Sequence, residues 1–278
     1  MASTTTLFSH VGDKKSAAKR IDPAIRKANA AKLAAGYTKK KRFFEYCYLS
    51  LSTYLWCANL FICARYFISC EEVNFMQIAS IPLFVLPAMA LADLVSGFVH
   101  WTLDTWGSPE TPVFGSFIRS FREHHADPSA MCSHDFIETN ADTTLTLLPA
   151  LLWQHFAMMK SGASGHHFPY NVHAGNIGMH VFLLTFFVLV AITNEIHKWS
   201  HMVRPHFFVR KLMNLGIILS PKTHHKHHVD PFDCSYCITT GWMNPPLDRV
   251  NFWRYMEILV TMATGAVARE NDQLLLGK

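Results

Sequence analysis

Long uninterrupted runs of apolar residues are the feature that most restricts how this chain can fold. Two runs, Tyr46 to Ser69 and Phe75 to Val99, each exceed the roughly 20 residues with which a helix crosses a bilayer. A shorter run covers Thr143 to Met159, and a fourth covers Gly178 to Ile196. In lipid, a single segment satisfies its backbone hydrogen bonds only as a helix. The sequence therefore predicts an all-α integral membrane protein with about four transmembrane helices.

Basic residues beside the first apolar run set the expected orientation. Lysine and arginine next to a membrane helix favour the cytosolic side, and the cluster Lys39 to Arg42 directly precedes the run. Four crossings then place residues 100–142 and everything after residue 196 on the cytosolic side as well. Residues 160–177 are expected on the other side. We therefore expect a multi-pass protein with both termini in the cytosol and a histidine-rich cytosolic cap.

The chain divides into three parts under this interpretation. Residues 1–42 form a basic N-terminal segment, expected to be disordered or a surface helix. Residues 43–265 form the membrane domain, and residues 266–278 form a C-terminal tail. Within the membrane domain, Phe207 to Ser220 and Val250 to Val260 mix apolar and basic residues. That mixture is typical of helices that lie along a membrane surface, so we expect two interfacial helices there.

Composition narrows the class of function. Half of the residues are apolar and only 16% are charged, compared with about 25% in ordinary soluble domains. No basic face interleaved with stacking aromatics and no nucleic-acid module is present, so we expect no nucleic-acid partner. Seven scattered cysteines indicate no disulfide framework. Cys234 and Cys237 lack the second pair that a zinc site of this type needs.

Seventeen histidines, many of them in the segments expected on the cytosolic side, indicate a metal site. Residues four apart lie on one helix face, so His197 and His201 can point at one ion. His227 and His228 follow His224 by three and four residues, so these three side chains can also share one face. The candidate metal ligands and catalytic histidines are His100, His124, His125, His134, His197, His201, His224, His227 and His228.

The number of these histidines exceeds what one ion needs. A structural zinc takes four ligands, so eight or nine imidazoles are most economically assigned to two adjacent metals. Imidazole binds zinc, copper, iron and nickel, and the ligand type alone therefore does not select the metal. The other histidines are expected to be surface or core residues without a metal role: His10, His155, His166, His167, His173, His180 and His206.

Carboxylates and one amide accompany the histidines at helical spacing. Asp104, for example, follows His100 by four residues and shares its helix face. We predict that four such side chains support the ligands or occasionally bind the metal themselves: Asp93, Asp104, Glu138 and Asn194. Four basic residues are candidates for binding a lipid phosphate, although the positive-inside rule accounts for them equally well: Arg119, Arg122, Lys198 and Arg204.

Seven short strings follow one another in order between residues 93 and 242. They are Asp93-x3-Gly97-x2-His100-Trp101, Asp104-Thr105-Trp106-Gly107, Phe121-Arg122-Glu123-His124-His125, His134-Asp135-Phe136-Ile137-Glu138-Thr139-Asn140, Ile196-His197-Lys198-Trp199-Ser200-His201, His224-x2-His227-His228 and Tyr236-Cys237-Ile238-Thr239-Thr240-Gly241-Trp242. This ordered set closely resembles the Kua family of membrane lipid desaturases. The chain departs from the family at Thr223, where a histidine is often found, and His225 is an additional imidazole that we do not count as a ligand.

The resemblance implies an enzyme of the endoplasmic reticulum membrane. Such an enzyme converts the 1-O-alkyl chain of plasmanylethanolamine, an ether phospholipid, into the vinyl ether of a plasmalogen. The resemblance further implies a centre of two iron ions held by the candidate histidines, O2 as oxidant, and electrons from NADH delivered by cytochrome b5 and its reductase. None of these properties follows from composition or spacing.

Several alternatives remain open at the level of the sequence. A plastid phosphatidylglycerol acyl-chain desaturase, with a plastid membrane location, is favoured only by the Ser/Thr-containing N-terminus. A lipid hydroxylase would use a similar oxidant. A metal transporter should place its ligands near the middle of the membrane, whereas these histidines lie at helix ends and beyond. A zinc hydrolase needs about three ligands and would leave most of the histidines unexplained.

Overall fold

Four long helices form the core of the computed structural model, which describes residues 38–69, 73–160, 170–229 and 231–269, apart from position 174 and several positions between 109 and 126. Helix α1 spans Lys39–Ser69, α2 spans Phe75–Thr105, α3 spans Phe136–Met159 and α4 spans Ile177–His201. The described residues contain no β-strand. The prediction of an all-α protein is therefore confirmed for this part of the chain.

Length and composition allow three of these helices to cross a bilayer. Helices α1, α2 and α4 have 31, 31 and 25 residues and contain long apolar stretches. At about 1.5 Å per residue, each is longer than the hydrocarbon core of roughly 30 Å. Helix α3 has 24 residues but is not among the helices with such a stretch, and it buries Asn140, Thr144 and Gln154 inside the protein. The structure thus supports a membrane protein, and the prediction of a fourth crossing depends on α3.

Side-chain contacts show how the long helices are oriented relative to one another. Ser52 donates to the carbonyl of Thr144 (3.2 Å), and Asn59 donates to Gln154 (3.3 Å), so α1 and α3 run in the same direction. Gln154, late in α3, reaches the carbonyl of His180, early in α4 (3.2 Å), so α4 runs the opposite way. The starts of α1 and α3 therefore lie beside the end of α4, where α2 also ends. We call this end of the bundle the histidine end.

Helices α2 and α4 continue beyond the apolar runs seen in the sequence. Those runs end at Val99 and Ile196, whereas the helices end at Thr105 and His201. An apolar run marks the part of a helix that faces lipid or core, and a polar turn beyond it leaves no such signal. The extra turns are important because they place candidate metal ligands on rigid helical backbone.

Between residues 202 and 269, the described part of the chain forms four short helices at the histidine end: α5 Phe207–Asn214, α6 Pro221–His224, α7 Asn244–Arg249 and α8 Phe252–Thr264. The two surface helices expected from the sequence correspond to α5 and α8, with ends that differ by a few residues. Both present exposed apolar side chains, such as Phe208 on α5 and Met262 on α8. On its other face, α8 buries Trp253.

An irregular segment around residues 236–243 packs closely against α2. Oγ of Ser96 accepts a hydrogen bond from the backbone N–H of Ile238 (3.0 Å). Gly97 makes this approach possible, because a Cβ atom there would lie only 2.5 Å from Sγ of Cys237. The segment is thereby fixed beside the last turns of α2.

Candidate metal centre

The last turns of α2 and α4 carry the first metal-binding side chains. His100 and Asp104 are four residues apart on α2, as are His197 and His201 on α4, so each pair shares a helix face. His100, Asp104 and His197 are buried. The ring centroids of His100 and His197 are 5.2 Å apart. The two helix faces therefore point at each other.

The segment that follows α2 adds two imidazoles to this cluster. The rings of His124 and His125 lie 5.7 and 6.5 Å from the ring of His100, measured between centroids. Phe232 stacks on His125 at 4.7 Å with an interplanar angle of 16°. His124 is buried, and His125 is half-buried.

Helix α6 and the turn after it supply the remaining histidines. Oγ of Ser220 accepts a hydrogen bond from the backbone N–H of Thr223 (3.2 Å), and Pro221 occupies the first turn. Both features are usual at the start of a helix. The residues that this short helix and its following turn direct to the cluster are His224, His227 and His228.

The side chains form two adjacent groups in which all ligand atoms lie within 4.8 Å of one another. The five-histidine group consists of His124, His197, His201, His224 and His228. The second group consists of His100, His124, His125 and His227, so His124 belongs to both. Oδ2 of Asp104 lies 3.0, 3.2 and 3.1 Å from Nε2 of His100, His125 and His227. We call the four histidines of the second group, together with the carboxylate of Asp104, the Asp104 group.

The imidazole nitrogens face one another at distances that favour a cation between them. Nε2 of His224 lies 2.9 Å from Nε2 of His197, 3.1 Å from that of His201 and 2.9 Å from that of His228. A neutral imidazole has a single N–H, so hydrogen bonds alone cannot satisfy several nitrogens that converge in this way. Nε2 of His124 is buried and has no hydrogen-bond partner within the described residues.

Backbone carbonyls behind two of the rings fix which nitrogen faces the cluster. Nδ1 of His100 lies 2.9 Å from the carbonyl oxygen of Tyr236, and Nδ1 of His227 lies 2.9 Å from that of Cys234. A carbonyl only accepts hydrogen bonds, so Nδ1 must carry the proton and donate it. The lone pair of Nε2 then points into the cluster, which is the usual arrangement of a metal-binding histidine.

Burial favours the uncharged form of several imidazoles in these two groups. It holds the pKa of His124 and of His224 well below the usual value, and repulsion from neighbouring imidazoles acts in the same direction. The same causes lower the pKa of His227 to about 3. Neutral imidazole is the form that binds metal. Each of the two groups therefore has the donor atoms and the spacing to hold a metal ion, and the lowered pKa values of His124, His224 and His227 favour the form that binds it.

Asp93, which the sequence predicts to support the ligands, binds backbone rather than imidazole. Its buried carboxylate accepts hydrogen bonds of 2.7–3.1 Å from four backbone N–H groups: those of Thr239, Thr240, Gly241 and Met243. These bonds fix the segment whose Tyr236 carbonyl orients His100. The support is therefore indirect.

Tyr236 and Arg269 form a second layer of support that the sequence does not reveal. The buried ring of Tyr236 lies 4.9 Å from that of His227. Arg269 donates to the hydroxyl of Tyr236 (3.3 Å) and, with two nitrogens, to the carboxylate of Glu257 (2.8 and 3.0 Å). Its backbone N–H donates to the carbonyl of Thr105 (2.8 Å). No spacing rule connects residues so far apart in sequence, and Arg269 falls in the predicted tail.

Besides Asp93, three predicted site residues lie outside both groups: His134, Glu138 and Asn194. Nδ1 of His134 is 2.9 Å from Oε1 of Glu138, and the side chain of His134 is 41% exposed. Asn194 donates to the carbonyl of Thr139 (3.3 Å) and to Oγ1 of Thr143 (3.1 Å), so it faces α3. Helical spacing shows which residues share a face but not where that face points. The ligand set proposed below therefore omits His134, and the contacts of Asn194 are those of helix packing.

The predicted phosphate-binding residues fall into three cases. Lys198 is buried, and its Nζ lies 2.7 Å from a carboxylate oxygen of Glu195, so it is not available to a lipid at the surface. Arg204 is exposed. Arg119 and Arg122 lie outside the residues that the structure describes.

Comparison with known proteins identifies the family. The family model described as lipid desaturase domain matches residues 89–271. Mouse plasmanylethanolamine desaturase 1 is 40% identical over 255 residues, which cover 88% of this chain and 86% of that protein. Plasmanylethanolamine desaturase of Myxococcus xanthus is 43% identical over 189 residues, covering 68% of this chain and 63% of that protein.

A more distant relative is the chloroplastic fatty acid desaturase 4-like 1 of Arabidopsis thaliana. It is 27% identical over 191 residues, covering 66% of this chain and 59% of that protein. No solved structure matches the chain. The matched region contains both histidine groups, and the resemblance drawn from the sequence motifs is confirmed: the chain belongs to the lipid desaturase family.

Proposed function

We propose that this protein is an O2-dependent desaturase that converts the 1-O-alkyl chain of plasmanylethanolamine into the vinyl ether of a plasmalogen. The observation that carries the proposal is the pair of adjacent histidine groups at one end of a bundle of membrane-type helices. The substrate is inferred from the mouse and bacterial relatives, which are 40% and 43% identical and are named for this activity.

The proposed cofactors are two iron ions, one in each group. The proposed ligands are His100, His124, His125, His197, His201, His224, His227, His228 and the carboxylate of Asp104. When bound, iron and O2 supply an oxidant strong enough to remove hydrogen from an unactivated C–H bond. No side-chain acid or base can do so, because such C–H bonds are barely acidic.

The protein's own residues hold, orient and shield this centre. The carbonyls of Tyr236 and Cys234 keep two rings turned with Nε2 inward. The carboxylate of Asp104 offsets positive charge in its group, and burial of His100 and His227 keeps water away from the reacting atoms. In the overall reaction, O2 takes up two hydrogens from the alkyl chain, two electrons from a donor and two protons. The products are the vinyl ether and two molecules of water.

We also propose how the protein is placed in the membrane. The histidine end faces the cytosol of an endoplasmic reticulum membrane, α3 is the fourth crossing, and α5 and α8 lie in the interface. The exposed apolar side chains of α5 and α8 and the basic residues at the start of α1 support this orientation. Electrons come from NADH through cytochrome b5 and its reductase. Arg269 packs against Glu257. We therefore propose that the membrane domain, which begins at residue 43, ends at residue 269 or later instead of at residue 265.

The proposal is tested by lipidomics of plasmalogen-deficient cells that express either this chain or its His227→Ala variant. Vinyl-ether phosphatidylethanolamine is expected only with the intact chain, because the variant lacks an imidazole of the Asp104 group. A new acyl double bond in phosphatidylglycerol would instead assign an acyl-chain desaturase. A new hydroxyl group on the alkyl chain would assign a hydroxylase.

A further inference from the structure

The short helix α6 and the turn after it have two chemically different faces. The inner face carries three proposed ligands: His224, His227 and His228. The outer face carries three exposed basic residues at spacings of three and four: Lys222, His225 and Lys226. Within the described part of the chain, none of these three side chains forms an ion pair. We call this surface the basic face.

The position of the inner face determines the direction of the basic face. His224 contacts His197 and His201 on the last turn of α4, and His227 contacts Asp104 on the last turn of α2. This segment therefore caps the ends of the two long helices. Its opposite side points away from the helix ends and hence away from the bilayer that surrounds the bundle.

We propose that the basic face is the docking site of a small acidic protein that carries one electron at a time. The inference rests on the proposed function, because a desaturase needs two electrons from outside for each O2. Two carrier molecules dock in succession, and each is oxidised by one electron. The two electrons, two protons and the two hydrogens removed from the alkyl chain reduce O2 to two molecules of water.

Proximity favours electron entry at this surface. A helix with its side chains is about 10–12 Å across, so a carrier on the outer side is separated from the ligands by one layer of chain. The imidazole of His224 is buried on that inner side, whereas its neighbour His225 is exposed. An electron can therefore pass from the docked protein to the metal centre through the same short turn.

Charge favours an acidic protein over a lipid as the occupant. Unpaired lysines on an exposed surface attract and orient a partner of opposite charge before contact is made. Lipid phosphates lie in the plane of the membrane interface, beside the bundle. The basic face points out of that plane, so it suits a partner that approaches from the aqueous phase.

The test uses the full-length protein in nanodiscs of zwitterionic lipid and the soluble haem domain of cytochrome b5 as probe. The variant Lys222→Glu/Lys226→Glu reverses both lysines of the basic face. The matched control, Lys39→Glu/Lys40→Glu, makes the same change of net charge at the exposed start of α1, also at the histidine end. Metal content and thermal stability of all three proteins establish that they are equally folded.

Association with the haem domain is measured for metal-free and metal-loaded proteins at low and high ionic strength. We expect the basic-face variant to associate at least about tenfold more slowly than the intact protein at low salt, with the difference shrinking at high salt. The control variant should change by no more than about twofold. The reduced haem domain should also reduce the metal-loaded basic-face variant more slowly than the metal-loaded intact protein or control variant.

Equal effects of the two variants would overturn the proposal, because they would show a response to net charge alone. Loss of binding to vesicles of anionic lipid, with unchanged binding of the haem domain, would also overturn it and assign the face to a lipid surface. Failure of the proposed function would be seen separately, as absence of vinyl ether even when a small chemical reductant replaces the protein donor.

Discussion

Both ends of the helix bundle contain buried histidines, but the imidazole nitrogens face different partners. At the histidine end, Nε2 atoms face other Nε2 atoms at 2.9–3.2 Å. At the opposite end, Nδ1 of His155 lies 2.8 Å from the amide oxygen of Asn59. That is an ordinary hydrogen bond with a complementary partner. The backbone carbonyl of buried His180 accepts a hydrogen bond from Gln154 (3.2 Å) in the same region.

The comparison shows that burial of histidine does not by itself indicate a metal. The indicative feature is a ring whose Nδ1 is held by a carbonyl while its Nε2 faces other ligand atoms, as in His100 and His227. His155 and His180 lack this feature and lie outside both metal groups. The two ends should therefore respond very differently to substitution, and that difference can be measured.

The largest effect is expected from His224→Ala. Nε2 of His224 is within 3.1 Å of three other imidazoles, so its loss opens the five-histidine group. Activity should fall by more than the 10- to 100-fold that is typical for loss of an outer hydrogen-bond partner of a ligand. Metal content should fall as well. Metal analysis measures the loss of bound metal, and lipidomics measures the loss of activity. His225→Ala, one residue along on the exposed side, should leave metal content unchanged, and equal losses in both variants would contradict the assignment.

Asp104→Asn should weaken metal binding in the Asp104 group and leave the five-histidine group intact. The substitution keeps the shape of the side chain but removes the charge that faces three Nε2 atoms of one group. We expect metal content to fall toward one ion per chain and desaturation to be lost, because the five-histidine group does not contain this carboxylate. Two bound ions with normal activity would show that the carboxylate is not a ligand.

The metal-free protein should lose stability on acidification. Burial lowers the pKa of folded His227 to about 3 from its usual 6.5. Between these values the unfolded chain binds more protons than the folded one, so stability falls as the pH drops below 6.5. The slope is up to about 1.4 kcal/mol per pH unit for each such imidazole. Thermal unfolding in detergent across this range measures it. A flat profile would contradict neutral, buried imidazoles at the histidine end, and His227→Gln should reduce the slope.

Arg269→Ala should weaken the centre without removing a ligand. The variant removes the hydrogen bond that Arg269 donates to the hydroxyl of Tyr236 and leaves Glu257 with Arg254 as its remaining ion-pair partner within the described residues. We expect a loss of unfolding free energy on the order of 3 kcal/mol and roughly 10- to 100-fold weaker metal binding. Lysine retains the charge but cannot contact Glu257 with two nitrogens. The stability and metal affinity of Arg269→Lys should therefore lie between those of the intact protein and those of Arg269→Ala. Unchanged metal affinity with reduced stability would restrict Arg269 to a purely structural role.

Local rules explain how much of the site could be predicted from the sequence. His197 and His201 were identified because residues four apart share a helix face whatever the rest of the chain does. The same rule paired His134 with Glu138, and those two side chains do meet. It gave no information about the direction of their face, and neither side chain belongs to either metal group. Local spacing therefore found the pairs but could not select among them.

Contacts between distant parts of the chain account for what the sequence did not reveal. Tyr236 orients His100 across 136 positions, and Arg269 reaches Tyr236 across 33. Such contacts depend on how helices pack, and hydrophobic periodicity contains no record of them. Helix α3 illustrates the same limit in the fold. It carries buried polar groups such as Gln154, and its apolar run is the shortest of the four.

The smallest effect is expected at the opposite end of the bundle, from His155→Ala. The variant removes one hydrogen bond to Asn59 from a half-buried position, which should cost on the order of 1 kcal/mol or less. Metal content, the pH profile of the metal-free protein and vinyl-ether production should all match those of the intact chain. Loss of metal in this variant would mean that the two ends are coupled through the packed long helices, two of which are joined directly by the hydrogen bond from Gln154 to the carbonyl of His180.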